Sequence, residues 1–265
     1  MRITFAFIVC ITYASQLWAG SRSNEPAKIE PQRIVTFAKQ VEKIAAQKGA
    51  RAFILSRVGR PEEDLPKGIF YTHTAIAVYS SIELEDGSVV NGYAIHNLYQ
   101  DDKRPNRSML VTDYPVDFFW GAQRLKTGIV IPTPDLQKRL IDIIAQGKNK
   151  TLHNSRYSVL SNPFNQQFQN CTEHTLDVVN AAVYQTTDWQ RLKNNAQAYF
   201  SPQRVHVSKF KLALGSMFSD DLTTADHKGK VYTTTFTSIM RYMRDFELSQ
   251  ESFTVFEDGS IVAIN

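Results

Sequence analysis

Between Gln32 and Lys48 the apolar residues Ile34, Phe37, Val41, Ile44 and Ala45 recur at helical spacing, on one face of a helix that Pro31 opens and Gly49 closes. The pattern then changes. Residues 51–58, RAFILSRV, and 69–80, IFYTHTAIAVYS, are rich in β-branched and aromatic residues and predict strands on either side of a polar loop at 60–68. Asp86-Gly87 turns the chain into 89–99, VVNGYAIHNLY, the expected antiparallel partner of the second strand. Residues 108–121 predict a short strand and a helical turn, and 127–132 a further strand. Thr133 and Pro134 start a helix whose Leu136, Leu140, Ile143 and Ile144 share a face as far as Gly147. Residues 148–169 are polar and irregular. A helix then begins near Cys171 and buries Leu176, Val179 and Val183, and another follows Asp188. From Ser201 the chain mixes short strands, a helix around 239–246 and a closing hairpin at 253–264. The echo of LEDGSVV (84–90) in FEDGSIV (256–262) predicts two hairpins built on the same turn. These elements make an α+β protein, helices packed on a mainly antiparallel sheet. Residues 20–265 form a single domain with a C-terminal α/β extension from about 201.

Composition changes this picture at the N-terminus. The chain opens MRITFAFIVCITYASQLWAGS, with Arg2 ahead of an uncharged run and small residues near Ala19. That is the order of a secretory signal peptide over residues 1–19, cleaved after Ala19. The apolar run is shorter than the ~20 residues that span a bilayer, so no transmembrane segment is expected once it is removed. The net charge of +4 is scattered along the chain and gives no reason to expect a nucleic-acid partner.

The chain has two cysteines, and Cys10 lies inside the predicted signal. Cys171 is then a lone thiol in an exported protein, a residue that pairs with another chain, reacts, or sits inert in a core. Cysteine reacts as the thiolate, which a helix N-terminus and a neighbouring imidazole both favour. His73 and His96 lie in two adjacent predicted strands. A helix whose N-terminus meets the sheet would bring Cys171 to His73 as general base, with His96 fixing the ring orientation. A one-residue slip in register turns His96 away and brings Asn97 into that role. The backbone N–H of Cys171 is an available oxyanion donor, with Gln167, Gln169 or Tyr157 as side-chain candidates.

The order THTAIAV, AIHNLY, NCTEH resembles the circularly permuted papain-like fold of NlpC-type hydrolases and lecithin retinol acyltransferase-like enzymes. Over nearly the whole chain, HNLY, DYPVDFF and YSVLSNPFNQQFQNCTEHTLD resemble a bacterial exported family called domain of unknown function 2145. The resemblance implies a periplasmic or secreted setting and a permuted cysteine-hydrolase fold. It matches Cys171 to the nucleophile, His73 to the base and His96 to the orienting residue. The expected function is an exported cysteine hydrolase or acyltransferase that needs no cofactor. Its expected substrate is an amide in a peptide or cell-wall fragment, with a lipid ester or thioester second.

Two other readings compete. A non-catalytic envelope binding or assembly protein on the same frame would show an ordinary, slow thiol. Alternatively, His174 could join Cys171, His73 and His96 in a Cys-His₃ zinc set, a spacing common by chance that ranks below the thiol mechanism. His153, His206 and His227 are expected at the surface. Phe118, Phe119 and Trp120 are expected in the core.

Overall fold

A computed structural model describes residues 27–264 except 62, 64, 85 and 207–222. The predicted export signal over residues 1–19 lies outside the described residues.

The chain builds a central seven-stranded sheet in the order β4-β3-β2-β1-β5-β8-β9, with every neighbouring pair antiparallel. The strands are β1 (Ala52–Arg57), β2 (His73–Glu83), β3 (Val89–Gln100), β4 (Ser108–Asp113), β5 (Lys126–Pro132), β8 (Ser249–Phe256) and β9 (Ile261–Ala263). A small second ladder joins β6 (Gln203–Val205) to β7 (Val231–Thr233). The helices are α1 (Pro31–Gln47), α2 (Pro115–Trp120), α3 (Pro134–Ala145), α4 (Lys148–Thr151), α5 (Cys171–Tyr184), α6 (Trp189–Tyr199) and α7 (Phe236–Asp245).

Strand alternation sorts the core into two layers. One face of the sheet carries Phe53, Leu55, Ala75, Ala77, Tyr93 and Ile95 against α1 and α2. The other carries Ile54, Ile76, Val78 and Val130 against α3, α5, α6 and α7. All six residues of β1 are buried, since helices cover both of its sides. Phe118 and Phe119 are core residues of the first layer, as the sequence predicts.

The two Asp-Gly turns have the same construction. In each, the aspartate accepts from the N–H and the hydroxyl of the serine two residues on (Asp86 and Ser88, Asp258 and Ser260). In each the glycine has positive φ, +79° at Gly87 and +87° at Gly259, which a β-carbon would disfavour. The second hairpin is not peripheral: β8 pairs along the length of β5 and extends the central sheet. Gly128 in β5 is a glycine for a different reason. A β-carbon there would collide with the Phe236 ring of α7, which lies directly on the strand.

Several boundaries move for local reasons. The second strand starts at His73 rather than 69, and Phe70 is left exposed in the preceding loop. Helix α7 starts at Phe236 because Thr235 and Ser238 form a reciprocal cap around its first turn. The irregular stretch 148–169 holds only the four-residue α4 among its described elements.

Candidate active site

Cys171 is the first residue of α5. The Asn170 side chain caps that helix, accepting from the Glu173 N–H at 2.9 Å and the Thr172 hydroxyl at 2.8 Å. Asn170 is itself fixed, because its amide donates to Val159 O and Thr233 Oγ1. Thr172 also reaches Thr234 O, so the segment leading into α7 braces the first turn of the cysteine helix.

A buried charge cluster anchors the same turn. Lys193 of α6 donates to Glu173 at 2.7 Å and to both oxygens of Asp177, at 2.9 and 3.0 Å. Gln169 adds a bond to Asp177 and another to Leu152 O. Burial, with Asp177 close by, raises Glu173 to about 8 despite the opposing pull of Lys193. Burial thus favours the protonated acid at Glu173, which would bring the three groups toward electroneutrality, while the Lys193 ammonium opposes it. The sequence reading missed this cluster. The one available signal was acidic residues four apart, Glu173 and Asp177, at the start of a helix whose later turns are mostly apolar.

The sulfur lies where β2 and β3 part. Their pairing ends at Ile76↔His96, so Thr74 has no β3 partner. Tyr79 N–H bonds Arg51 O of the segment entering β1, and strand alternation therefore turns the Thr74 N–H toward the β3 side. That N–H, with those of Thr172 and Cys171 itself, favours the thiolate, as does the nearby Arg57. Burial outweighs them and raises the thiol above its ordinary range. Leu98, Tyr157 and Val159 pack over Cys171, which is 7% exposed.

His73 and Asn97 meet across the same opening from the opposite face. His73 Nε2 lies 2.9 Å from Asn97 Oδ1. The ring stacks on Tyr99 at 4.7 Å with 7° between planes, and tilts against Phe118 at 5.6 Å. Arg57, the cross-strand partner of His73, lies over Tyr99 and Phe118 and donates to Phe118 O at 2.5 Å. His73 is fully buried; desolvation, then the charge of Arg57, hold it well below the ordinary histidine range. Its Nδ1 has no hydrogen-bond partner among the described residues.

The expected role of His96 falls to its neighbour. His96 pairs with Ile76 and so points to the other face, 3.5 Å from Thr112 Oγ1, and makes no bond to His73. The reason is register: with Ile76 opposite His96, Asn97 shares the face of His73. His96, His153 and His174 gather on the α5 side. Burial, then Lys150, lower His96 to about 4; burial, then His153, lower His174 to about 3. The zinc set is not assembled, because His73 lies across the sheet from His96 and His174. Among the described residues no group of three or more His, Cys, Asp or Glu side chains is placed to hold a metal. His153 and His227, expected at the surface, are half-buried, and the His227 side chain is enclosed. His153 bonds Ser108 and His227 donates to Leu160 O. His206 is exposed. Of the side-chain oxyanion candidates, Gln169 is committed to structural bonds, whereas Tyr157 packs on the thiol.

The model of a bacterial family, described as an uncharacterized protein conserved in bacteria (DUF2145), matches residues 44–243. The chain belongs to that family. The DUF2145 match takes in β1 through nearly all of α7 and includes Cys171, His73 and Asn97. No curated protein and no solved structure is significantly similar to it. No helix among the described residues of this DUF2145 chain is long and apolar enough to cross a membrane.

Proposed function

We propose that the protein is an exported cysteine hydrolase or acyltransferase with a permuted papain-like arrangement, acting through Cys171, His73 and Asn97. One observation carries the reading. His73 is held at Nε2 by Asn97 while Nδ1 is left without a partner, the Cys171 thiol included, and that thiol stands at a helix N-terminus against the N–H of Thr74, the residue next to His73. A histidine fixed at one nitrogen and open at the other is what general-base activation of a thiol needs.

The chemistry follows from the charges. Burial raises the thiol and depresses the histidine, so both groups favour their neutral forms at rest rather than thiolate and imidazolium. The proton therefore leaves sulfur for Nδ1 as sulfur attacks the carbonyl carbon, and returns to the leaving group when the tetrahedral intermediate collapses. The Cys171 N–H is an available oxyanion donor at the helix start. Water or a second acceptor then releases the acyl group. A substrate reaches the sulfur only if the Tyr157–Val159 cover moves aside. An amide in a peptide or cell-wall fragment suits a periplasmic or secreted enzyme, and a lipid ester or thioester is the next class.

Burial of the thiol favours the second reading, a binding or envelope-assembly protein that keeps the fold without turnover. Incubation with 4-nitrophenyl acetate, followed by peptide mass mapping, separates the two. The enzyme reading predicts an acetyl thioester on Cys171 that forms faster than on a free thiol, and slows by ~10²-fold or more in His73→Ala. Acetylation no faster than that of an ordinary thiol, and unchanged in His73→Ala, overturns it.

A further inference from the structure

Asn97 has one orientation that satisfies every neighbour. Its Nδ2 donates to Ile95 O at 3.0 Å and to Asp113 Oδ2 at 3.2 Å, leaving Oδ1 to face His73. Asp113 is the last residue of β4 and the cross-strand partner of Ile95, so the register sets its carboxylate beside the Asn97 amide. The Tyr99 hydroxyl donates to the same Oδ2 at 2.6 Å and fixes the rotation of the carboxylate. Two donors on one oxygen suit an acceptor; burial pushes the Asp113 carboxyl up, and the Tyr99 bond and the charge of Arg57 oppose that. Rotating the amide by half a turn would aim its carbonyl oxygen at a carboxylate oxygen and at Ile95 O, and both contacts would be repulsive.

We propose that Asp113 is a positioning residue that locks the Asn97 amide and so confines His73 to its Nε2–H tautomer, with the lone pair at Nδ1. The inference rests on the reading of His73 as the base, though the tautomer itself does not depend on that reading. An acceptor oxygen at Nε2 requires a proton there. A neutral ring then has its only lone pair at Nδ1. If the amide turned, its NH₂ would face Nε2 and the proton would move to Nδ1, where it blocks transfer from sulfur. Asp113 touches neither the ring nor the thiol in this arrangement. It acts through Asn97, as outer carboxylates orient histidines in other sites.

The test uses the full chain labelled with ¹⁵N-histidine. Long-range ¹H–¹⁵N spectra distinguish the protonated from the bare ring nitrogen of His73. The expected wild-type result is a single Nε2–H form. Asp113→Asn keeps the shape but supplies an NH₂ that can donate to a turned Asn97 carbonyl, so an Nδ1–H population is expected to appear. Tyr99→Phe leaves the Asp113–Asn97 bond in place and is expected to keep the wild-type tautomer. Should Asp113→Asn fail to fold, the wild-type spectrum still decides, because an Nδ1–H or mixed His73 overturns the lock. A folded Asp113→Asn with His73 wholly Nε2–H overturns it as well. Cys171 acetylation, measured on the same samples, is expected to fall at least tenfold in Asp113→Asn. A tautomer shift in a protein whose wild type does not acetylate faster than a free thiol would uphold the lock and remove the hydrolase reading.

Discussion

At the scale of single residues, the site depends on one position of strand register. His96 and Asn97 are neighbours in β3, yet only Asn97 shares the pleat of His73. The two substitutions therefore separate cleanly. Asn97→Ala is expected to slow Cys171 acetylation by an order of magnitude or more, by freeing the His73 ring. His96→Ala is expected to leave the rate within about twofold, as His96 touches neither His73 nor the Asn97 amide. Measured acetylation rates check both, and equal losses in the two variants would count against the assignment of Asn97.

At the scale of elements, α5 is placed by groups at its own first turn rather than by its apolar face alone. Asn170 caps it, Thr234 O holds Thr172, and Lys193 ties Glu173 and Asp177 to α6. Removing the ammonium would leave two buried carboxyls with no cation, the costly case for a buried ion cluster. Lys193→Met is expected to lower unfolding stability by about 3–5 kcal/mol, measured by urea denaturation. Since the cluster lies under the cysteine helix, the acetylation rate of the folded fraction is expected to fall as well.

Across the whole molecule, buried ionisable groups set opposing pH dependences. His174, at about 3, and His96, at about 4, bind protons in the unfolded chain near 6.5 but not in the folded one. The unfolded state therefore holds more protons between about 4 and 6.5, and stability is lost as pH falls through that window. Glu173 works the other way. Its folded value of about 8 stands above its ordinary 4.5, so the folded state holds the extra proton and stability is lost as pH rises from about 4.5 to 8. Thermal unfolding is expected to peak near pH 6–7. Glu173→Gln, which mimics the protonated acid, is expected to flatten the decline between pH 7 and 8, and His174→Asn to weaken the acid limb. A melting temperature that rises steadily from pH 6 to 8 in the wild type would contradict the Glu173 assignment.

The sequence by itself determined most of the elements. Their periodicities are local: α1 reads from Ile34, Phe37 and Val41, the two hairpins from Asp-Gly turns, and α5 from the polar run that ends at Asn170. It also put a thiol at a helix start and a histidine within a strand, while only the structure made that histidine the strand's first residue. Which residue faces His73 was not legible, because one register step exchanges His96 for Asn97 and no local preference separates them. Nor were Asp113, Arg57 and Lys193. Each meets its partner only across paired strands or packed elements, as Asp113 meets Asn97 across β4 and β3, and each is polar where pattern alone predicts exposure. Only the tertiary structure, by pairing β3 with β2 and β4 and seating α6 on α5, decided that these charges are buried and what they hold in place.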